Sequence, residues 1–361
     1  EHDVFWRHHV ADPVLATWAK QVNFALTAMS PARTDAALPP SPAFGGNVAG
    51  LQGADLLLFF LESYGATAFD NRDFAKALEP RRLELAASIA ASGRHVVSAF
   101  VRSPTFGGGS WLAHASLLSG LDLGDPGRYD LLMTTGRPTL VSHLQANGYQ
   151  ATGLMPGIRS DWAESAFYRF DKLLDSRRID YAGPEFGYWR IPDQYTLWRF
   201  ADLGHRQPPG APRFLVFPTV NSHLPFAPLP PYQPDWTRLA SSAPFNTASL
   251  ATALTARIDW LDLGPAYLKS IEYTYQWLDG FLKLPAARNA MMILIGDHQP
   301  AASVTGRNAS WDVPVHLVTT SAELAARFIA LGFKEGIEPA RPTLGRMSDL
   351  TELLLRGLSA D

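Results

Sequence analysis

The chain has 361 residues, 47% of them hydrophobic, which is enough for one large α/β domain or two smaller ones. Its net charge of −3 comes from 31 basic and 34 acidic residues with no basic block, which argues against nucleic acid as a partner. The absence of cysteine excludes a disulfide framework, a thiolate metal site and a Cys nucleophile, and leaves the redox compartment open. No stretch reaches the roughly 18 uncharged apolar residues of a membrane span. The chain begins at Glu1 without Met or a signal peptide, the pattern of a mature or trimmed form whose membrane anchor would lie upstream of residue 1.

An amphipathic helix is predicted over Pro13 to Met29, and the Pro-, Ala- and Gly-rich residues 31–48 read as an extended linker, so residues 1–48 form an N-terminal helix and linker. The main domain starts at residue 49. Ala54 to Leu61, apolar throughout except for Asp55, is expected to be a strand buried on both faces. Leu78 to Ala91 is predicted helical, His95 to Val101 a second strand, and Ser110 to Ser119 a helix closed by Gly120. Pro138 to Asn147 is another helix, Arg213 to Phe217 a third strand, and Tyr267 to Leu282 a helix. Met291 to Ile295 and Val313 to Val318 are the fourth and fifth strands. Thr320 with Glu323 three residues on predicts a capping box opening a helix to Leu331, and a last helix spans about Asp349 to Leu358. Strands alternating with helices predict an α/β fold with a central, mostly parallel sheet, and ligands in such folds bind beyond the carboxyl ends of the strands.

That rule directs attention to the residues that follow the strands. The first strand ends in Glu62, a carboxylate directly after the six apolar residues Leu56 to Leu61, costly to bury unless paired or bound to a cation. The fourth ends in Gly296-Asp297-His298, which offers an oxygen and a nitrogen donor to one pocket, and the third leads to Ser222-His223-Leu224-Pro225-Phe226. The second leads through Thr105 to Gly107-Gly108-Gly109-Ser110, where glycines allow backbone N–H groups to approach an anion and Ser110 opens a helix whose dipole favours negative charge. The mixed oxygen and nitrogen set suits one divalent ion, zinc or manganese better than magnesium or calcium. A hydroxyl bound to that ion loses its proton readily and can attack phosphorus to form a seryl ester.

These motifs resemble the alkaline phosphatase/sulfatase superfamily, and within it the envelope branch of lipoteichoic acid synthases, phosphoglycerol transferases and phosphoethanolamine transferases. The residues that carry the resemblance are LeuGluSer at 61–63, GlyGlySer at 108–110, SerHisLeuProPhe at 222–226 and GlyAspHis at 296–298. The resemblance implies an alkaline-phosphatase-like sandwich over 49–318. It also implies a small C-terminal subdomain, or a continuation of the same fold, over 319–361. Glu62, Ser110, Asp297 and His298 would bind the metal, Ser110 would be the nucleophile, and His223 would contact the transferred group or leaving oxygen. Trp162 looks like a substrate-contacting tryptophan of the lipoteichoic acid synthases, but the family's Arg two residues on is Glu164 here, so a phosphate-binding Arg is either missing or supplied by Arg159 or Arg307. The expected substrate is a phospholipid or envelope glycan, and the expected location the periplasmic or extracellular face of the cytoplasmic membrane. The sulfatase pattern C/S-x-P-x-R is absent at Ser110, which favours phosphate over sulfate.

Several residues carry alternatives. Thr105 competes with Ser110 as nucleophile, and Ser110 also suits an N-cap. His114, one turn after Ser110, could face the site. His316 fits a core histidine, although the phosphoethanolamine transferases use a further His after their Asp-His pair. Two rival functions stand beside the transferase: a phosphodiesterase, phosphonate or sulfate ester hydrolase, and a non-catalytic metal-binding sensor.

Overall fold

The computed structural model describes residues 14–205 and 210–359, so Pro13, the predicted start of the first helix, lies outside the described residues. The described helix runs Val14–Ala28. Eight strands form one sheet: β1 (Asp55–Leu61), β2 (His95–Arg102), β3 (Gln150–Met155), β4 (Lys172–Asp175), β5 (Arg213–Pro218), β6 (Ala290–Gly296), β7 (Asp312–Thr319) and β8 (Lys334–Glu335). Their order is β4-β3-β5-β1-β6-β7-β2-β8. The first five in that order are parallel, while β7 runs antiparallel to both β6 and β2. β2 therefore points the same way as β1, and the carboxyl ends of β1, β2, β5 and β6 share one edge.

β1 lies at the middle and shows why its sequence is continuously apolar. Leu56, Leu58 and Phe60 enter the core on one face, and Leu57, Phe59 and Leu61 enter the core on the other. The first face is covered by helices that include Ser110–Ser119, Leu140–Ala146 and Met347–Leu358; the second by Arg72–Ala91, Asp193–His205 and Gly264–Leu282. Phe59 meets Phe217, Trp277 and Phe281 edge-on at centroid distances of 5.8, 6.3 and 6.0 Å, pairs that each add about 0.5–1.5 kcal/mol beyond their burial. Residues 319–359 pack on this same sheet: β8 pairs with β2, and Thr351 on helix Met347–Leu358 donates its hydroxyl to the Leu117 carbonyl at 2.6 Å.

The structure departs from the predicted elements at several points, among them the unpredicted helices Pro126–Met133, Asp193–His205 and Thr247–Leu254 and strand β8. β3 and β4 are additional strands; QATGLM and KLLD carry little β signal, and their pairing with β5 and with each other makes them strands. The helix Arg72–Ala91 starts six residues before Leu78, because the Asn71 side chain caps it by accepting from the N–H groups of Asp73 and Phe74. Pro80 sits inside it on the exposed side, where the carbonyl it leaves unbonded can be hydrated. Pro31–Ala37 is a short helix and not extended, with Pro at its first position. Helix Ala322–Ala330 is capped by Ser321, whose hydroxyl accepts from Leu324 N–H at 3.1 Å; Thr320 plays no such part, and Glu323 pairs with Arg327 at 2.7 Å.

Gly296, the last residue of β6, has a steric reason. A Cβ there would lie 1.8 Å from the Tyr64 carbonyl oxygen and 3.1 Å from Val313 Cβ. Glycine thus lets the turn leaving β1 lie against the end of β6, where Asp297 follows. Gly296→Ala is expected to destabilise the protein by about 1–3 kcal/mol or more through overpacking against backbone, seen as a lower urea midpoint. An unchanged midpoint would show that this close approach is dispensable.

Candidate active site

Glu62 follows β1, and two hydrogen bonds and the turn after it fix its backbone. Its N–H donates to Thr219 Oγ1 at 3.0 Å, its carbonyl accepts from Ser222 Oγ at 2.7 Å, and Ser63 behind it adopts a left-handed φ of 56°. Ser63 N–H in turn donates to Asp297 Oδ1 at 2.8 Å, and His298 N–H donates to the same oxygen at 2.7 Å. Two N–H groups thus occupy Oδ1 and leave Oδ2 of Asp297 facing the site. The Asp297 carbonyl accepts from Ser103 Oγ at 2.5 Å, which ties the exit of β6 to that of β2.

The His298 tautomer follows from its partner. Nδ1 lies 2.7 Å from the Gln299 carbonyl, which can only accept, so Nδ1 carries the proton and Nε2 presents a lone pair. That nitrogen sits 3.4 Å from Glu62 Oε1 and 3.8 Å from Asp297 Oδ2. Donor atoms of Glu62, Asp297 and His298 all lie within 4.8 Å of one another, and all three residues are buried. Burial, and then the negative charge of Glu62, push the Asp297 carboxyl up to about 6. Burial works against charge on His298, but Asp297 and Glu62 outweigh it and raise the imidazole above its ordinary value. Among the described residues no Lys or Arg is within ion-pair distance of Glu62 or Asp297. Two buried carboxylates with an imidazole lone pair and no side-chain cation form a donor set that fits one divalent ion.

Ser110 completes the group. Its hydroxyl lies 3.1 Å from Glu62 Oε2 and 3.1 Å from His298 Nε2. It opens the helix Ser110–Ser119 after three glycines with φ of 69°, 148° and 75°, a path that L side chains rarely follow. Gly107 N–H donates to the Gln299 carbonyl at 3.0 Å, which docks this loop onto the segment carrying His298. Thr105, the rival hydroxyl, donates instead to the Gly108 carbonyl. It clamps the glycine loop, and a Cβ on Gly109 would come 2.9 Å from its oxygen.

The remaining predicted residues divide. His223 Nδ1 donates to the Leu224 carbonyl at 2.7 Å, which leaves Nε2 as an acceptor, and the ring stacks on Tyr188 at 5.7 Å. Burial lowers its basicity. His223, His114 and Trp162 line one cavity with Ser110 and Glu62. His114 lies over Phe60 at 4.4 Å, and its Nε2, 3.9 Å from Asp297 Oδ2, makes no hydrogen bond; burial pushes it down to about 4, so it is neutral. Trp162 stacks on Tyr168 at 5.5 Å. Three residues lie elsewhere. His316 is held inside the sheet, 2.7 Å from Ser98 Oγ and 3.2 Å from Tyr64 OH, where burial keeps it neutral with a pKa of about 3. Arg307 is exposed in a turn, and Arg159 lies over the rings of Tyr188 and Trp189; neither is among the residues that line the cavity, although Trp189 is.

Asp193 is the residue that the sequence reading missed. It is fully buried, and its two oxygens accept from Val220 N–H at 2.8 Å and Asn221 N–H at 2.9 Å, while its own N–H donates to Asn221 Oδ1 at 2.7 Å. It therefore fixes the segment that carries Ser222 and His223. Burial pushes its carboxyl up to about 7, opposed by those N–H groups and assisted by the charge of Glu62. The helix that Asp193 opens was not predicted, and its partners 27 and 28 residues away carry no local signal.

A sandwich with this sheet order and a strand-edge pocket of carboxylates, imidazole and hydroxyl defines a phosphoryl- or sulfuryl-transfer enzyme of the alkaline phosphatase superfamily. Residues 110–314, more than half of the chain, match the family described as Sulfatase, and the chain belongs to that family. Its fold is similar to that of the lipoteichoic acid synthase LtaP from Listeria monocytogenes, with TM-score 0.52 and 12% identity over 90% of this chain and 76% of that one. It is also similar to an alkaline phosphatase superfamily protein from Vibrio parahaemolyticus (TM-score 0.50, 17% identity, 88% and 73% covered). A third similar fold is the C-terminal periplasmic domain of phosphoethanolamine transferase EptC from Campylobacter jejuni (TM-score 0.50, 11% identity, 85% and 94% covered). A search of curated protein sequences gives no significant match.

Proposed function

We propose that the protein transfers a phospholipid-type head group, of the phosphoglycerol or phosphoethanolamine class, through a covalent phosphoryl ester on Ser110. The observation that carries this reading is the Ser110 hydroxyl, 3.1 Å from both Glu62 Oε2 and His298 Nε2 at the start of a helix. Glu62, Ser110, Asp297 and His298 would hold one divalent ion, zinc or manganese by donor type, with magnesium or calcium less suited. When bound, such an ion supplies Lewis-acid charge neutralisation and a lowered hydroxyl pKa. The chain's own residues do the rest. The first turn of the helix and its dipole favour the anionic phosphoryl oxygens, the glycine loop brings backbone close to them, and His223 Nε2 faces the same cavity, available to hydrogen-bond the leaving or entering alcohol. As the Ser110 Oγ–P bond forms, the P–O bond to the first alcohol breaks, and the serine proton ends on that alcohol. A second alcohol, or water, then reverses the exchange.

Phosphate is preferred to sulfate because Ser110-Trp111-Leu112-Ala113-His114 lacks the Pro and Arg of the formylglycine pattern. The transferase activity and the periplasmic or extracellular setting rest on analogy with LtaP and the EptC domain. Among the described residues no helix is long and apolar enough to cross a membrane. The hydrolase reading keeps one specific observation in its favour, the missing head-group arginine at Glu164. Quenching the metal-loaded enzyme during turnover of phosphatidylglycerol and phosphatidylethanolamine, then peptide mass spectrometry, is expected to find a phosphoryl adduct on Ser110. Labelled head group passing to an added alcohol marks a transferase, and passing only to water marks a hydrolase. Absence of both adduct and turnover on all phosphoesters would leave the sensor reading in place.

A further inference from the structure

The cavity that opens from Ser110 has a composition that phosphoryl chemistry alone does not explain. It holds about 270 Å³. One end is formed by Glu62, Ser110, His114 and His223, and the rest of its wall includes Leu118, Met155, Ile158, Trp162, Phe170 and Val216. Among the described residues no Lys or Arg lines it. Behind the lining, Glu164 acts on the buried phenols of Tyr129 and Tyr168, Asp130 on that of Tyr129, and the Arg159 guanidinium lies 5.7 Å from the centre of the lining Trp189 ring. Trp162, Tyr168 and Phe170 form a continuous stack, with centroids 5.5 and 5.9 Å apart and ring planes within 27° and 25°. Their rings make a largely apolar wall, whose polar atoms are the Trp162 N–H and the Tyr168 O–H.

A second phosphate, a carboxylate or a polyol placed there would lose its hydration and find few partners. An apolar group would gain about 25 cal/mol for each Å² removed from water. The space exceeds the roughly 150 Å³ that accepts a benzene ring in an engineered protein cavity, and so takes an aromatic ring or a chain of several carbons.

We infer that the substrate is a phosphoester in which one esterifying group is an uncharged alkyl or aryl group whose carbons begin close to phosphorus and seat in this cavity. The inference rests on the proposed phosphoryl site at Ser110 and adds the chemistry of the neighbouring substituent. A polar head group then lies on the solvent-open side of Ser110, outside the cavity. The walls that grip the substituent are Ile158, Trp162 and Phe170.

Binding isotherms on the zinc-loaded full chain test this without turnover. The probes are inorganic phosphate, methylphosphonate, hexylphosphonate, phenylphosphonate and 2,3-dihydroxypropylphosphonate. The expected result is an affinity that rises by up to about fourfold per added CH₂, so that hexyl- and phenylphosphonate bind at least tenfold more tightly than methylphosphonate, with the dihydroxypropyl compound no tighter than methyl. Ile158→Trp, which fills the cavity, should remove the gain for hexyl- and phenylphosphonate and leave phosphate affinity within about twofold. Equal affinity across the series, or preference for the dihydroxypropyl compound, overturns the inference and leaves the phosphoryl site standing. Failure of phosphate and every phosphonate to bind overturns the phosphoryl reading and this inference with it. The wild-type series decides even if Ile158→Trp does not fold.

Discussion

Ser110→Ala is expected to lower kcat for phosphoester turnover by about 10⁴-fold or more, the scale on which removing a covalent nucleophile acts. The substitution deletes one hydroxyl at a half-buried helix start, and its neighbours Glu62 and His298 keep their own anchors, so the fold should be unchanged. The companion variant Thr105→Val separates the two hydroxyls. It removes the clamp on the Gly108 carbonyl and should weaken turnover by loosening the glycine loop, while a phosphoryl adduct still forms on Ser110. An adduct on Thr105, or a Ser110→Ala enzyme within tenfold of wild type, would reverse their assignment.

Asp297→Asn should leave the fold largely intact and abolish divalent metal binding. The two N–H groups of Ser63 and His298 both donate to Oδ1, so an amide oriented with its oxygen there keeps both bonds. Its NH₂ then replaces Oδ2 and points two protons, where an anion stood, towards the Nε2 lone pair of His298 and the carboxylate of Glu62. Metal affinity should fall by more than the roughly 10–100-fold that follows from losing even an outer partner, with turnover lost in parallel. Metal content after dialysis, beside a near-UV circular dichroism spectrum, checks both halves. Full metal content in a folded Asp297→Asn protein would remove Asp297 from the donor set.

How much of this was legible beforehand differs from residue to residue. Glu62, Asp297 and His298 could be found without coordinates because each directly follows a strand buried on both faces. Such a strand must be continuously apolar, so its first polar residue announces the sheet edge. The antiparallel β7 was not legible, since an apolar run carries no direction; yet β2, beyond it, still points its end to the same edge because two reversals restore the direction. β3 and β4 escaped notice because their strand character comes from pairing with β5 and with each other and not from their side chains.

The same division runs through the site. Ser110 and Thr105 both flank the glycine run, Ser110 directly and Thr105 across Phe106; only the fold aims one at Glu62 and His298 and the other at a loop carbonyl. His223 could be picked from its motif, but Asp193, which holds the His223 segment, acts through backbone N–H groups that carry no residue identity. The apolar cavity is assembled from Leu118, Met155, Trp162 and Val216, residues from four separate segments that each resemble ordinary core. By itself, the sequence determined the α/β class and the carboxylate–imidazole edge, because burial forces a local pattern along one strand. Tertiary structure alone decided which hydroxyl serves the site, what steadies its histidine and what the neighbouring cavity accepts, because those depend on contacts between residues far apart in the chain.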